Sequence, residues 1–141
     1  MSISITIQGD PKGKARPRFG RKGDFVTTYT PADTVKYENF VKACFFSKCP
    51  GVPPATDEID AEIIAYFGVP KSTSKKKTAL MLNGIINPTK KPDMDNIAKI
   101  ILDSLNGIAY NDDSQIVKLT VEKRYSNNPR VELKLMKHEV E

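Results

Sequence analysis

Histidine and cysteine are nearly absent from this sequence. Its 141 residues include one histidine, His138, and two cysteines, Cys44 and Cys49. A structural zinc site takes about four Cys or His ligands, and Cys/His or Ser/His/Asp catalysis needs a histidine beside the nucleophile. One histidine near the C-terminus argues against these sites and against a histidine-based nuclease. Two cysteines cannot form a disulfide framework, so we expect reduced, partly buried thiols.

Long apolar runs are missing as well. No segment approaches the roughly 20 apolar residues of a membrane-spanning helix, and residues 1–9 are too polar for a signal peptide. We therefore expect a cytoplasmic protein that does not associate with membranes. Hydrophobic residues make up 39% and charged residues 28%, a globular rather than a disordered composition. The length predicts a single domain over residues 1–141.

Positive charge predominates, but it is unevenly distributed along the chain. The formal net charge is +5. Residues 1–91 hold 15 Lys or Arg against 8 Asp or Glu, whereas residues 92–141 hold 7 against 9. The basic segment favours contact with phosphate groups, and the acidic segment contains a cluster of aspartates. A simpler alternative stays open, in which most of the lysines form a solvated face.

Hydrophobic periodicity predicts the element order βββαβααββ. The predicted strands cover residues 2–8, a hairpin ending in 25–29, and then 58–67, 116–124 and 130–137; the predicted helices cover about 31–47, 75–83 and 95–106. The last helix has a buried stripe at Ile97, Ile100, Ile101 and Leu105, and Gly107 ends it. We predict a mixed α/β (α+β) fold with one mixed sheet packed by two or three helices.

Carboxylates are concentrated around that last helix. They are Asp93, Asp95, Asp103, Asp112 and Asp113. Residues four apart share a helix face, so Asp95, Lys99 and Asp103 line up. Clustered carboxylates repel one another unless a cation lies among them, and aspartate oxygens suit hard ions such as Mg²⁺. An acidic, metal-ready centre in a basic chain is typical of an enzyme that cuts nucleic acid.

A purely structural role for these carboxylates is the alternative. Asp93 or Asp95 can cap the helix, favoured by the backbone N–H groups and the helix dipole. The row of Asp95, Lys99 and Asp103 can be an exposed ion-pair ladder. Residues 111–114 can be no more than a turn. Each of these interpretations stays open at the level of the sequence.

The motifs of this region resemble those of a known nuclease family. They are Lys91-Pro92-Asp93-Met94-Asp95-Asn96, then Lys99, then Asp103-Ser104-Leu105-Asn106-Gly107, and Asp112-Asp113-Ser114-Gln115-Ile116. In this order and spacing they resemble the signature of the RusA family of Holliday junction resolvases, endodeoxyribonucleases often carried by phages and prophages. Residues 13–18 and 74–77 also resemble family members, so the resemblance covers most of the chain.

The resemblance implies a homodimer that resolves four-way DNA junctions with Mg²⁺, in DNA repair and recombination, in a bacterial or phage-infected cell. It implies catalytic carboxylates, which are also the metal ligands, at Asp93, Asp95 and Asp113, and a catalytic lysine at Lys99. Asp112 stays an alternative ligand because the preceding loop varies in length within the family. Asp103 is expected to orient the helix. One or two ions are compatible with the motif, and Mn²⁺ is an expected substitute for Mg²⁺.

Two cation-rich segments supply the predicted DNA contacts, since cations in flexible loops suit phosphate. These contacts are Lys12, Lys14, Arg16, Arg18, Arg21, Lys75, Lys76 and Lys77. Phe19 lies among them and is expected to pack against the sheet, with base stacking as the alternative. Two other functions stay open: a nuclease for other branched or duplex DNA, and a non-catalytic basic DNA-binding module.

Overall fold

The computed structural model describes residues 2–140 apart from the side chain of Lys22, so the two ends of the predicted domain, Met1 and Glu141, lie outside it. The strands are β1 (Ser2–Gln8), β2 (Arg18–Lys22), β3 (Phe25–Tyr29), β4 (Ile59–Gly68), β5 (Ile116–Ser126) and β6 (Arg130–Lys137). The helices are α1 (Ala32–Lys48), α2 (Lys75–Leu82) and α3 (Met94–Ser104), followed by a short 3₁₀ turn at Asp113–Gln115. The element order and the mixed α/β fold predicted from the sequence are confirmed. Within residues 2–140, none of the helices has the length and apolar character to cross a membrane.

Four strands form one mixed sheet in the order β1-β6-β4-β5. Strand β6 is antiparallel to both β1 and β4, whereas β4 and β5 are parallel. Parallel neighbours cannot be joined by a tight hairpin, so the chain must cross from the end of β4 back to the level of its start. This crossover contains α2, α3 and the loop after α3. It therefore begins α3 near the end of β4, where Lys91 and Pro92 share a cleft with Phe67 and Gly68. It then brings Asp112 and Asp113 to the edge of the sheet where β5 begins.

One face of the sheet is apolar because alternate residues of a strand point to the same side. The buried side chains of β4 are Ile59, Ala61, Ile63, Ala65 and Phe67. Helices α1 and α3 complete this core with Val41, Phe45 and the predicted stripe of Ile97, Ile100, Ile101 and Leu105. Burying each large aliphatic side chain stabilises the fold by about 1.5–3 kcal/mol. Cys44 and Cys49 are half-buried free thiols at the edge of this core, as expected.

Strands β2 and β3 form a separate two-stranded sheet. Phe19, in β2, is 76% exposed, so the prediction that it packs against the sheet is wrong. The physical reason is the isolation of the hairpin, whose strands pair with each other and not with the main sheet. An apolar side chain on such a hairpin therefore has no hydrophobic core to pack against.

Candidate active site

The acidic site begins at the start of α3. Asp93 occupies the N-cap position with an extended backbone (φ −68°, ψ 152°), and its carbonyl oxygen accepts a hydrogen bond from the N–H of Ile97 at 3.0 Å. The carboxylate of Asp93 makes no capping hydrogen bond. Asp95 lies in the first turn, where the helix dipole favours negative charge. The backbone of Asp93 thus starts the helix, while its side chain is not used to cap it.

Because one side of α3 is buried in the core, the charged residues of this helix lie on its other side. Asp95 and Lys99 are exposed, and Asp103 is half-buried. Across residues 2–140, no ion pair within 4 Å joins Lys99 to either aspartate. Asp103 instead lies 3.5 Å from the ammonium of Lys14. The ion-pair ladder considered from the sequence is therefore not formed.

Lys14 connects the basic loop between β1 and β2 (residues 9–17) to two helices. Its N–H donates to the carbonyl oxygen of Asn96 at 3.0 Å. Its ammonium lies 2.9 Å from a carboxylate oxygen of Glu38 on α1 and 3.5 Å from Asp103 on α3. The Lys14 and Glu38 side chains are largely buried, with 19% and 16% of their surfaces exposed. The structure therefore places this predicted DNA contact within an ion-pair network beside the acidic helix.

Gly13 allows the basic loop to lie directly on the start of α3. A Cβ at this position would lie 2.9 Å from the Cβ of Pro92 and 3.1 Å from that of Asn96, closer than ordinary Cβ contacts. The loop and the Lys91–Asn96 motif together line an open cleft whose charged residues are Lys12, Lys14, Lys91 and Asp93. Cations and a carboxylate of the predicted site thus meet in one cleft. Neither Gly13 nor Lys91 was among the predicted site residues.

The loop after α3 is held in place by Gln115. Gly107, with φ of 77°, lets the chain reverse beyond the helix. The side-chain amide of Gln115 then donates to the carbonyl oxygens of Ala55 at 2.9 Å and Asp57 at 3.0 Å. Its amide oxygen accepts from the N–H of Asp112 at 2.9 Å. The motif glutamine therefore ties the aspartate pair to the connector before β4, a role that the sequence did not indicate.

Asp112 and Asp113 are adjacent but differ in their surroundings. The Ser114 hydroxyl donates to the Asp112 carboxylate at 2.7 Å, and this hydrogen bond lowers the pKa of Asp112. Partial shielding from solvent, then the hydrogen bond and charge of Asp112 and the charge of Asp103, raise the pKa of Asp113, whereas Lys99 lowers it. Lys99 and Asp103 on α3 thus act electrostatically on Asp113 in the loop. The fold therefore brings the Asp113 loop within electrostatic range of Lys99 and Asp103, whereas Asp93 and Asp95 are not among the charges that shift the pKa of Asp113.

A buried tyrosine lies beneath this region. The ring of Tyr110 is fully buried, and its hydroxyl donates to the carbonyl oxygen of Leu102 on α3. Burial, and then the charges of Asp113 and Asp103, raise the pKa of Tyr110 above its usual range. The phenol therefore stays protonated and links the loop to the helix. This contact could not be predicted from the sequence, because an isolated tyrosine in a loop belongs to no periodic pattern.

The carboxylates fit a divalent cation in donor type and charge. Oxygen donors suit Mg²⁺. The pKa of Asp113 is raised by desolvation first, and then by the hydrogen bond and charge of Asp112 and the charge of Asp103, and a cation relieves the repulsion between these charges. Within the described part of the chain, no three Asp, Glu, His or Cys side chains are arranged to hold an ion. Asp93, Asp95 and Asp113 are exposed, so rotation about their side-chain bonds can change the spacing of their oxygens.

The other predicted DNA-contacting cations lie on the surface in two groups. The first group is Lys12, Arg16, Arg18 and Arg21 in the basic loop and β2, and the second is Lys75, Lys76 and Lys77 in α2. All are exposed, and none makes an ion pair within 4 Å among residues 2–140. Helix α2 begins at Ser74, whose hydroxyl oxygen accepts from the N–H of Lys77 at 3.2 Å. Both groups of cations therefore face solvent without a neutralising carboxylate.

Comparison with known proteins identifies the family. Residues 8–136 match the family model of endodeoxyribonuclease RusA. The chain is also similar to a Bacillus subtilis (strain 168) protein named "Uncharacterized protein YqaN", with 37% identity over 133 residues that cover 93% of each chain. The match to the family model spans both the basic loop and the acidic motifs. It confirms the resemblance drawn from those motifs, and the chain belongs to the RusA family of endodeoxyribonucleases.

Proposed function

We propose that this chain is a Mg²⁺-dependent, structure-selective endodeoxyribonuclease that resolves four-way DNA junctions by paired nicks, in DNA repair and recombination. Membership of the RusA family supports the nuclease activity. One observation carries the proposal. Asp113, in the loop after α3, interacts electrostatically with Lys99 and Asp103, which both lie on α3. A carboxylate and lysine centre of this kind, in a chain of net charge +5, suits hydrolysis of a phosphodiester.

Asp93, Asp95 and Asp113 are the proposed metal ligands. The carboxylate of Asp93 is not used for capping, which supports a role outside helix formation. Asp113 is favoured over Asp112 because one oxygen of the Asp112 carboxylate already accepts a hydrogen bond from the Ser114 hydroxyl. A divalent cation at this site would supply a Lewis acid for the phosphate and an acidified water. Mn²⁺ is the proposed substitute ion.

Lys99 is the proposed catalytic cation. Its side chain is exposed, and its positive charge lowers the pKa of Asp113, against the other effects that raise it. An ammonium in this position can stabilise negative charge that develops on the phosphate. Lys14 is assigned a positioning role, because its ammonium is already bound to Glu38 and lies near Asp103. The backbone hydrogen bond of Lys14 to Asn96 keeps the basic loop beside the ligands.

The exposed cations are the proposed phosphate contacts. In α2, Lys75, Lys76 and Lys77 occupy the first turn, where positive charge opposes the helix dipole. Each such charge costs about 0.3–1 kcal/mol in an exposed helix. The stability of α2 therefore gives no reason for three lysines at this end. Neutralisation by DNA phosphates does give such a reason, and the exposed arginines Arg16, Arg18 and Arg21 are proposed to bind phosphates as well.

Paired nicks require two active centres. Each chain contains one set of Asp93, Asp95 and Asp113. A four-way junction has two-fold character, and a two-fold homodimer would present one centre to each of two opposed strands. We therefore propose a homodimer as the active form. Two nicks placed symmetrically about the branch point would then release two duplexes.

The test is cleavage of a synthetic four-way junction beside a duplex of the same sequence, each with Mg²⁺ and with a chelator. We expect Mg²⁺-dependent cuts in the junction and much slower cutting of the duplex. Equal cutting of both substrates would favour the nuclease for other branched or duplex DNA. Binding without cleavage under any metal condition would favour the non-catalytic DNA-binding module.

A further inference from the structure

The β2–β3 hairpin presents large aromatic side chains to solvent on both of its faces. Phe19 and Phe25 are each 76% exposed, and Tyr29 is 51% exposed. Because cross-strand partners and alternate residues share a face, Phe25 and Tyr29 lie on one face with Arg18. Phe19 and Arg21 lie on the other face. Each face of the hairpin thus combines an exposed phenylalanine with an arginine.

This exposure is not explained by the packing of the fold. A two-stranded hairpin alone is marginally stable in water, and this one pairs with no strand of the main sheet. Substituting polar residues for the two phenylalanines would lose no core packing, since both side chains are largely exposed. Several large apolar side chains left exposed on one small element instead indicate a surface that binds a partner.

The charge of the hairpin indicates the chemistry of that partner. Between residues 16 and 29 the cations are Arg16, Arg18, Arg21 and Lys22, and the single acidic residue is Asp24. Within the described residues, none of these arginines makes an ion pair. Aromatic rings that alternate with arginines match a nucleic acid strand, whose bases stack on the rings while its phosphates bind the guanidinium groups.

The hairpin is joined at both ends to segments that border the proposed catalytic centre. Its first strand begins four residues after Lys14, which is bound to Glu38 and lies near Asp103. Its second strand ends three residues before α1, the helix that carries Glu38. Both ends of the hairpin are therefore held near the acidic site. Strands of five residues extend about 17 Å, a length of about five base steps along a DNA strand.

We infer that the β2–β3 hairpin is a base-stacking element that binds unstacked bases at the branch point of the DNA. This inference rests on the proposed function, which supplies branched DNA as the substrate. Phe19 and Phe25 stack on bases, and Arg18 and Arg21 bind the adjacent phosphates. Bases inside an intact duplex are covered by their neighbours, so the hairpin gains these contacts only where stacking is interrupted. It thereby contributes to the preference for branched DNA.

The test is equilibrium binding of the full-length protein to a four-way junction and to a matched duplex, in chelator so that no cleavage occurs. Stacking of one base is worth about 1–3 kcal/mol, so Phe19→Ala and Phe25→Ala should each weaken junction binding about 10-fold. Duplex affinity and the salt dependence of junction binding should not change, because no charge is lost. Arg18→Ala should instead reduce the salt slope by about one unit. Phe40→Ala, at an exposed phenylalanine of α1, is the matched control.

Two further variants separate stacking from general apolar contact. Phe25→Trp should keep junction affinity, whereas Phe25→Leu should lose it. Full affinity of Phe25→Leu, or an equal loss on junction and duplex, would overturn the inference. So would a change of oligomeric mass in Phe25→Ala, since the hairpin would then bind a second copy of the chain. Thermal melting checks that each variant is folded. Metal-dependent cleavage by the unaltered protein is measured separately, so failure of the nuclease function and failure of the hairpin inference are distinguished.

Discussion

The ammonium of Lys14 lies 3.5 Å from the carboxylate of Asp103, and this pair joins the basic loop to the helix that carries the acidic site. Glu38 shares the same ammonium at 2.9 Å, so α1 is part of the connection. After desolvation and Asp112, the carboxylate of Asp103 is a further cause of the raised pKa of Asp113, a proposed metal ligand. Asp103 therefore contacts the basic loop through Lys14 and also acts on the proposed metal site through Asp113.

Lys14→Ala should weaken the fold and the activity without removing a phosphate contact. Its largely buried bonds to charged partners predict a loss of about 1–2 kcal/mol in the free energy of unfolding. Junction cleavage should fall while the salt slope of DNA binding stays the same. Arg16→Ala, at an exposed residue of the same loop, should leave stability unchanged and reduce that slope by about one unit. Denaturant unfolding and salt-dependent binding measure these effects. A reduced slope in Lys14→Ala would show that Lys14 binds DNA.

Asp95→Asn should lower junction cleavage by about 10²–10³-fold or more while leaving the fold and DNA binding intact. The amide keeps the shape of the side chain but loses the charge proposed to hold Mg²⁺. Asp93→Asn and Asp113→Asn should behave alike, whereas Asp112→Asn should retain most activity. Asp33→Asn is a matched control, since Asp33 is an exposed aspartate in the first turn of α1. Rates come from single-turnover cleavage in Mg²⁺. Near-normal cleavage by Asp95→Asn would remove this residue from the metal site.

The two adjacent aspartates should titrate differently in metal-free protein, with the pKa of Asp113 above that of Asp112. Asp103→Asn should lower the pKa of Asp113 by removing a like charge, and Lys99→Gln should raise it by removing a favourable one. Because a protonated carboxylate cannot bind a cation, acidification should abolish metal binding as the pH falls through the pKa of Asp113. In Lys99→Gln this loss should occur at higher pH. Carboxyl-carbon NMR titration provides the measurement, and the reverse order of the two aspartates would contradict it.

Gly13→Ala should displace the basic loop from the start of α3. The new methyl group would lie 2.9 Å from the Cβ of Pro92, which is too close without a backbone shift. Overpacking of this kind costs about 1–3 kcal/mol, and cleavage should fall with stability. Gly20→Ala is the comparison, because its nearest neighbour is the ring of Tyr29 in the hairpin. Thermal melting and cleavage rates are compared for the two variants. Equal behaviour of both would show that loop docking does not matter for the site.

Local sequence patterns were sufficient for the elements and for the outward placement of the charged face of α3. The helix was predictable because the spacing of Ile97, Ile100, Ile101 and Leu105 records its buried side. Its charged residues then had to face outward or toward the helix ends. The order of strands and helices followed from the same periodicity. The ion-pair ladder along α3 was an open alternative, and the structure excludes it because Asp103 pairs with Lys14 instead.

The remaining features depend on contacts between distant parts of the chain. Lys14 meets Glu38 across 24 residues, and Gln115 meets Ala55 across 60, so neither contact has a local signature. Phe19 was placed wrongly because alternation predicts a strand but not whether that strand joins the main sheet. The spacing of the carboxylate oxygens depends on side-chain rotation at exposed residues, which no sequence pattern specifies.

Cleavage of a supercoiled plasmid that extrudes a cruciform measures metal dependence, junction selectivity and pairing of the nicks together. If a homodimer cuts two opposed strands in one binding event, Mg²⁺ should convert the plasmid directly to its linear form. The chelator should prevent this, and a plasmid without the cruciform should stay supercoiled. Mixed dimers of unaltered and Asp95→Asn chains should give nicked circles. Nicked circles alone from the unaltered protein would contradict the paired-cut mechanism, and no Mg²⁺-dependent product would contradict the metal nuclease itself.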